Sequence, residues 1–391
     1  MSTQKVNCSR MDFCGIEAEN VIYLDHAATT PVRDDVLTAM LPYFSAAYGN
    51  ASGGYRIARD ARRAIDTARS EVARAVGAAR DEVYFTSGGS EADNWALMGV
   101  SSAHPDKRHI ITTRIEHHAV LHTCEALKRR GCTVTYLDVD QLGHVSPEAF
   151  ARAIRPDTLL ASVMLANNEV GTIEPVAALA DIAHAHGVLM HTDAVQAVGH
   201  IPVELGRLNV DLLSMSAHKF GGPKGIGALI VRAGVRIDNL IYGGAQERGL
   251  RAGTENTPAI VGMGRAVTLA VQSMEKTALR VAHLRDMLER NVLASPGVRV
   301  NGDRHNRLPG HLHVTIEETN SVTLLMQLDM AGIAVSAGSA CTSGAAERSH
   351  VITAMGLAGE RQADIRFSIG EENTEEEMAA VADALRRILK R

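Results

Sequence analysis

The sequence predicts an α/β protein: a mostly parallel, seven-stranded sheet in a large domain, followed by a smaller α+β domain. Three observations point there. Short apolar runs alternate with helix-length amphipathic segments from Val83 to Val231, the signature of strands and helices wound through one parallel sheet. Polar residues of chemical interest collect directly after those runs, where open α/β sheets bind ligands. Near Asn256 the pattern changes to one long amphipathic helical stretch and fewer strands. A chain of 391 residues also exceeds what one core usually serves. The division expected is 21–264 for the large domain, with 1–20 and 265–391 forming the small one.

Taken in order, the expected strands of the large sheet are 83–86, 109–113, 133–137, 159–165, 188–192, 212–214 and 228–231. Helices are expected between them at 119–130, 147–154 and 175–186. Beyond the change of pattern, a helix is expected over 256–291, strands over 312–316, 333–336 and 365–368, and a last helix over 374–389. Asn373-Thr374, with Glu377 three residues on, has the spacing of a capping box.

Composition excludes several function classes. With 46% hydrophobic and 22% charged residues the chain is an ordinary globular one. A net charge of −5 offers no electrostatic footprint for nucleic acid or for an anionic membrane. No apolar run is long enough to span a bilayer. The first twenty residues lack an apolar signal core and carry Asp12, Glu17 and Glu19, so a cytoplasmic protein is expected. The five cysteines, Cys8, Cys14, Cys124, Cys132 and Cys341, contain no C-x-x-C pair and read as free thiols, with no resident metal site. Cys124 and Cys132 read as buried and inert.

The stretch 214–225, SMSAHKFGGPKG, is the densest in chemistry. A lysine restrained on a glycine-rich loop beside a histidine can be held deprotonated as an amine nucleophile. Taken alone, Lys219 is an ordinary loop lysine; its company decides the matter. The strand at 83–86 leads through Ser87-Gly88-Gly89-Ser90 into a helix, and a helix N-terminus lined by small residues is a phosphate cradle. After 109–113 come Glu116, His117 and His118; His117 suits stacking on a planar ring, while His118 reads as a surface helix cap. After 159–165 come Asn167 and Asn168, and after 188–192 come Asp193 and Gln196. A carboxylate at a central strand end needs a cation, and a protonated pyridine nitrogen would serve. Amine, phosphate cradle, stacking ring and strand-end carboxylate are together the demands of pyridoxal 5′-phosphate.

The chain resembles the cysteine desulfurases of the class V aminotransferase superfamily, fold type I pyridoxal-phosphate enzymes that serve iron–sulfur cluster and nitrogenase assembly. The matching runs are YLDHAATT (23–30), TSGGSEADN (86–94), EHHAVLHTC (116–124), NNEVGTIEP (167–175), HTDAVQAVG (191–199) and SAHKFGGPKGIGAL (216–229). GGAQERGLRAGTEN (243–256), SAGSACTSG (336–344) and IRFSIG (365–370) continue the match in order to near the end of the chain.

The resemblance implies roles. Lys219 would join the cofactor aldehyde, Asp193 would hold the ring nitrogen protonated, Gln196 would bond the ring hydroxyl and His117 would stack on the ring. Gly89, Ser90, Ser216 and His218 would hold the phosphate, with Thr254 reaching it from the partner in a homodimer. Asn168, beside the cofactor, and Arg366 would take the substrate carboxylate, a task that suits the bidentate guanidinium. Cys341, in a run of small residues, would receive sulfur from L-cysteine as a persulfide, leaving L-alanine. It would then pass that sulfur to an acceptor or iron–sulfur scaffold protein, and could itself ligate a nascent cluster. The chain departs from the family pattern at 51–58, at His26 and at Ala245, and 1–20 lie outside the match. The alternatives are a selenocysteine lyase or another class V aminotransferase, and a sulfur-transfer scaffold with a vestigial cofactor site.

Overall fold

The structure, a computed structural model, describes residues 21–337 and 348–389. Cys341, Cys8 and Cys14 lie outside the described residues. The strands are β1 (Ile22–Tyr23), β2 (Val83–Thr86), β3 (His109–Thr113), β4 (Thr133–Leu137), β5 (Thr158–Ser162), β6 (Leu189–Asp193), β7 (Leu212–Ser216), β8 (Gly227–Val231), β9 (Val298–Asn301), β10 (His311–Glu317), β11 (Ile333–Ala334) and β12 (Gln362–Ser368).

Seven strands form one sheet in the order β2-β8-β7-β6-β5-β3-β4. The pairs from β7 to β4 are parallel, and β8 runs antiparallel to both β7 and β2. The central strands are buried residue by residue, which is why they read as unbroken apolar runs. The helix Gly89–Ala103 packs Ala92, Trp95, Ala96 and Val100 on one face of the sheet, and the Trp95 indole N–H donates to the Asp238 carbonyl at 2.8 Å. The strand expected over 159–165 ends at Ser162. Beyond it Val163 and Leu165 still donate to the carbonyls of His191 and Asp193 in β6, but the ladder with β3 stops at Ser162.

The second sheet is small and antiparallel, in the order β12-β10-β9. β9, not foreseen, is four residues long. The strand expected over 333–336 is only the two residues of β11, paired with β1, after which Ser336 bridges to Arg366. Cys124 and Cys132 are buried, as expected.

One helix, Thr257–Val292, joins the two cores. Ala259 to Ala270 pack in the larger apolar cluster, while Val281 to Val292 pack with Leu312, Val314, Ile365 and Phe367 in the smaller one. Leu24 belongs to the smaller cluster as well. Asn256 caps this helix through the Ala259 N–H at 3.3 Å. At the last helix, Glu375–Leu389, the expected capping box is formed: Glu377 N–H donates to Thr374 Oγ1 at 3.2 Å and Thr374 N–H to Glu377 Oε2 at 3.1 Å. A buried ion pair, Arg69 to Glu247 at 2.7 Å, fixes the segment that carries Thr254, and Glu247 also accepts the Phe85 N–H.

Candidate active site

The carboxyl ends of β3, β5, β6 and β7 open into a cavity of about 390 Å³. Ten of the residues singled out from the sequence line it: Gly89, Ser90, His117, Asn168, Asp193, Gln196, Ser216, His218, Lys219 and Arg366. They come from six separate stretches of chain, and topology alone brings them together. Thr254 is exposed and does not line this cavity.

Asp193 is the last residue of β6, and its Oδ1 accepts the Val195 N–H at 2.8 Å. Burial pushes its carboxyl up to about 6, against the pull of that N–H and of Lys219. Gln196, one turn on, donates to the Ala27 carbonyl at 2.9 Å. Lys219 ends a short 3₁₀ turn after β7, with its Nζ 2.5 Å from the Ala27 carbonyl and 2.9 Å from that of Ala28. His200 bonds the Lys219 backbone carbonyl at 2.9 Å, which holds the turn.

Gly89 opens the helix on the opposite wall. A Cβ there would sit 2.6 Å from a Val195 methyl, so only glycine lets this helix end approach the Asp193 loop. Ser216 and His218 face the same end, and an adjoining opening adds the exposed Lys224 to them. Free N–H groups, two hydroxyls, an imidazole and a cation suit a phosphate.

His117, half-buried, is the N-cap of the helix His118–Arg129, its Nδ1 accepting the Ala119 N–H at 3.1 Å. Burial and then Lys219 push it down to about 4, so the ring is neutral at physiological pH. The surface-cap expectation for His118 is corrected. The cap is His117, and His118 is half-buried on the cavity wall with His350 and His122 at ring-centre distances of 4.7 and 5.1 Å.

Arg366 sits mid-strand in β12 and is 2% exposed. Its Nη1 donates to the Asn168 carbonyl at 2.8 Å and its Nη2 to Asp25 at 2.7 Å. Its Nε is buried without a partner. Two of five N–H donors are thus committed to fixing the guanidinium plane.

Sequence reasoning gave no role to four further groups. Asp93, Glu169 and His350 line the cavity, and Glu116 lies buried beside it. Glu116 accepts from Thr113 at 2.8 Å and from the Met164 N–H at 3.0 Å, and burial pushes it up to about 8. Glu169 accepts from the Ser349 hydroxyl, and burial pushes it up to about 7. His350 bonds the Glu116 carbonyl at 2.9 Å. An acid inside the otherwise apolar helix face of Asp93 was a legible signal.

The cavity fits pyridoxal phosphate. Its volume lies in the range of small-ligand sites, and among the described residues the buried Asp193 carboxylate accepts a single N–H, from Val195, leaving room for a cationic ring nitrogen. Among the described residues no cluster of His, Cys, Asp and Glu could hold a metal ion, and no helix is long and apolar enough to cross a membrane.

Comparison with known proteins agrees. The chain is 48% identical over 383 residues, 96% of its length and 95% of the relative's, to the "Cysteine desulfurase IscS" of Methanosarcina thermophila. A solved "NifS-like protein" superposes with a TM-score of 0.90 at 39% identity, covering 95% of this chain and 99% of that one. The structure described as "SspA in complex with cysteine" does so with a TM-score of 0.80 at 36% identity, covering 90% and 100%. The family profile described as Aminotransferase class-V matches residues 22–381, and the chain belongs to that family.

Proposed function

We propose that this chain is a cysteine desulfurase that takes sulfur from L-cysteine for iron–sulfur cluster or related cofactor assembly. The observation that carries this reading is the convergence of Lys219, Asp193, His117 and Arg366 on one cavity. Similarity to proteins named as cysteine desulfurases, and to one bound to cysteine, supports it. Pyridoxal 5′-phosphate is the cofactor; bound, it supplies an aldehyde for amines and a ring that withdraws charge from the substrate Cα.

The residues divide the work. Lys219 Nζ would be the amine for the cofactor and, as a free amine, the base for the Cα proton. Asp193 would hold a proton on the ring nitrogen, Gln196 would bond the ring hydroxyl and His117 would stack on the ring. Gly89, Ser90, Ser216 and His218 hold the phosphate, and Thr254 adds a contact from the partner in a homodimer. Arg366 and Asn168 hold the substrate carboxylate. Cys341 thiolate takes the substrate sulfur, so that L-cysteine and the Cys341 thiol become L-alanine and a Cys341 persulfide. That persulfide is handed to an acceptor or scaffold protein in the cytoplasm. Thr257–Val292 packs with the larger cluster as far as Ala270 and with the smaller one from Val281, which supports two domains that part within this helix, between those residues.

The test is to incubate the purified protein with cysteine and map by mass spectrometry which thiol gains sulfur. Cys341 is expected to carry it. Cys341→Ala should keep the yellow cofactor yet yield no persulfide, and undiminished sulfide release from that variant would refute the role.

A further inference from the structure

Asp93 has no part in the chemistry above, yet it is 1% exposed and lines the same cavity as Asp193. It lies one turn into the helix that begins at Gly89. Its Oδ1 is buried without a hydrogen-bond partner, 3.7 Å from His191 Nε2. The Ser214 hydroxyl lies near enough to its carboxyl to favour the charged form. That hydroxyl is also 2.9 Å from His191 Nε2, and His191 Nδ1 is 2.8 Å from Ser162 Oγ. Ser162, His191 and Ser214 are wholly buried. The groups that face Asp93 are therefore Asp193 and His191 from β6, Ser214 from β7 and Glu116 from the end of β3.

Two buried carboxyls that line one cavity and repel each other resist ionising together, and the proton settles where the charge is compensated least. Asp193 has the Val195 N–H and the attraction of Lys219. Asp93 has one hydroxyl, and it is repelled by Asp193 and by Glu116. Burial keeps His191 neutral, so no cation offsets Asp93 from that side. An ionised Asp93 would leave a charged oxygen buried with nothing to bond it.

We propose that the cavity floor is a two-carboxyl device in which Asp93 carries the proton and Asp193 the charge. Asp93 is then a positioning residue: a neutral acid in the wall of the cavity that holds the anion kept for the cofactor ring. The inference rests on the reading of Asp193 as partner of the ring nitrogen. Burial raises Asp93 well above the ordinary carboxylate range, in the direction this requires.

The experiment uses the protein with and without pyridoxal phosphate, labelled with ¹³C at aspartate carboxyls. Carboxyl shifts are followed by NMR between about pH 5 and 8, the range in which ordinary aspartates stay ionised. One resonance is expected to remain protonated across that range, to vanish in Asp93→Asn and to survive in Asp193→Asn. A protonated resonance that vanishes in Asp193→Asn instead, or none at all, overturns the proposal. Should Asp93→Asn fail to fold, Asp93→Glu takes its place: the protonated aspartate resonance should vanish while a carboxyl is kept there, and its persistence would overturn the proposal. In the holoenzyme Asp93→Asn, neutral and of the same shape, should leave the pH profile of cofactor absorbance in place. A displacement of about one unit or more would mean that a charge had been removed, and would overturn it too. Failure of the underlying reading looks different. If Asp193→Asn left the ring nitrogen as protonated as before, by ¹⁵N shift of labelled cofactor, Asp193 would lose its role while the proton's place in the free protein stayed measurable.

Discussion

The two sheets reach the cavity in different ways. The large sheet offers strand ends: Asp193 closes β6, Ser216 closes β7, and His117 and Asn168 stand in the turns that follow β3 and β5. The small sheet offers a side chain from mid-strand, Arg366, whose backbone is paired with His313 on one side and Ser336 on the other. Strand ends leave the ladder and can carry loops shaped to a ligand. A mid-strand residue has no such freedom, and its position is that of the whole sheet. On the proposed roles, cofactor binding would belong to one core, whereas substrate binding would need both.

The largest effect that tests this division is on Lys219, in the large unit. Lys219→Ala should abolish the absorbance of lysine-bound cofactor and lower alanine formation by about 10³-fold or more, the combined loss of nucleophile and base. An unchanged resting spectrum would refute the assignment.

Both sheets also enclose neutral histidines, and they are buried to different standards. His191 in β6 has both ring nitrogens bonded, whereas His313 in β10 bonds Asn301 at 2.9 Å and leaves Nε2 without a partner. Burial pushes His191 down to about 3 and His313 to about 4. Each folded value lies below the unfolded one near 6.5, so in that window the unfolded chain binds the extra proton. The stability these groups contribute is present above pH 6.5 and is lost as pH falls toward 3. Glu116 and Glu174, raised by burial to about 8, act with the opposite sign, losing stability as pH rises. The measurement is therefore a difference. Between pH 6 and 4, His191→Gln should flatten the fall of unfolding free energy by about 1.4 kcal/mol per pH unit. Equal slopes in the two proteins would mean that His191 is not held neutral.

Arg366 sharpens the comparison most directly. Arg366→Lys keeps the charge but loses the planar fork, and should lower kcat/KM for cysteine by about 10- to 100-fold. Cofactor affinity, measured by titration of the cofactor-free protein, should not change. A matching loss of cofactor affinity would show that the two sheets do not divide the tasks.

What the sequence made legible follows the same line. Strands buried on both faces leave unbroken apolar runs, and residues after such runs stand at strand ends, so Asp193, His117 and Lys219 could be located without coordinates. Two-residue strands such as β1 and β11 carry no period to read. Arg366, in the middle of an ordinary strand, bears no local mark of function, and only the IRFSIG resemblance singled it out. Asp93 was overlooked because its run was read for glycines and hydroxyls. Glu169 and His350 meet the site through contacts between distant segments, Glu169 with Ser349 and His350 with Glu116, which no spacing rule contains.

The smallest effect lies farthest from the chemistry. The Thr374 hydroxyl accepts the Glu377 N–H at the start of the helix Glu375–Leu389, whose Met378, Val381 and Leu385 pack under the small sheet. Thr374→Ala removes that cap and should cost about 1 kcal/mol of stability. Because the helix belongs to the smaller core, the loss should appear in thermal unfolding while cofactor affinity stays as it was. Substrate binding should be nearly as insensitive, since β12 is held by β10 across its full length and not by this helix end. If cofactor affinity fell in step with stability, the two cores would be unfolding as one unit, and the separation argued from Arg366 would be a matter of geometry without an energetic counterpart.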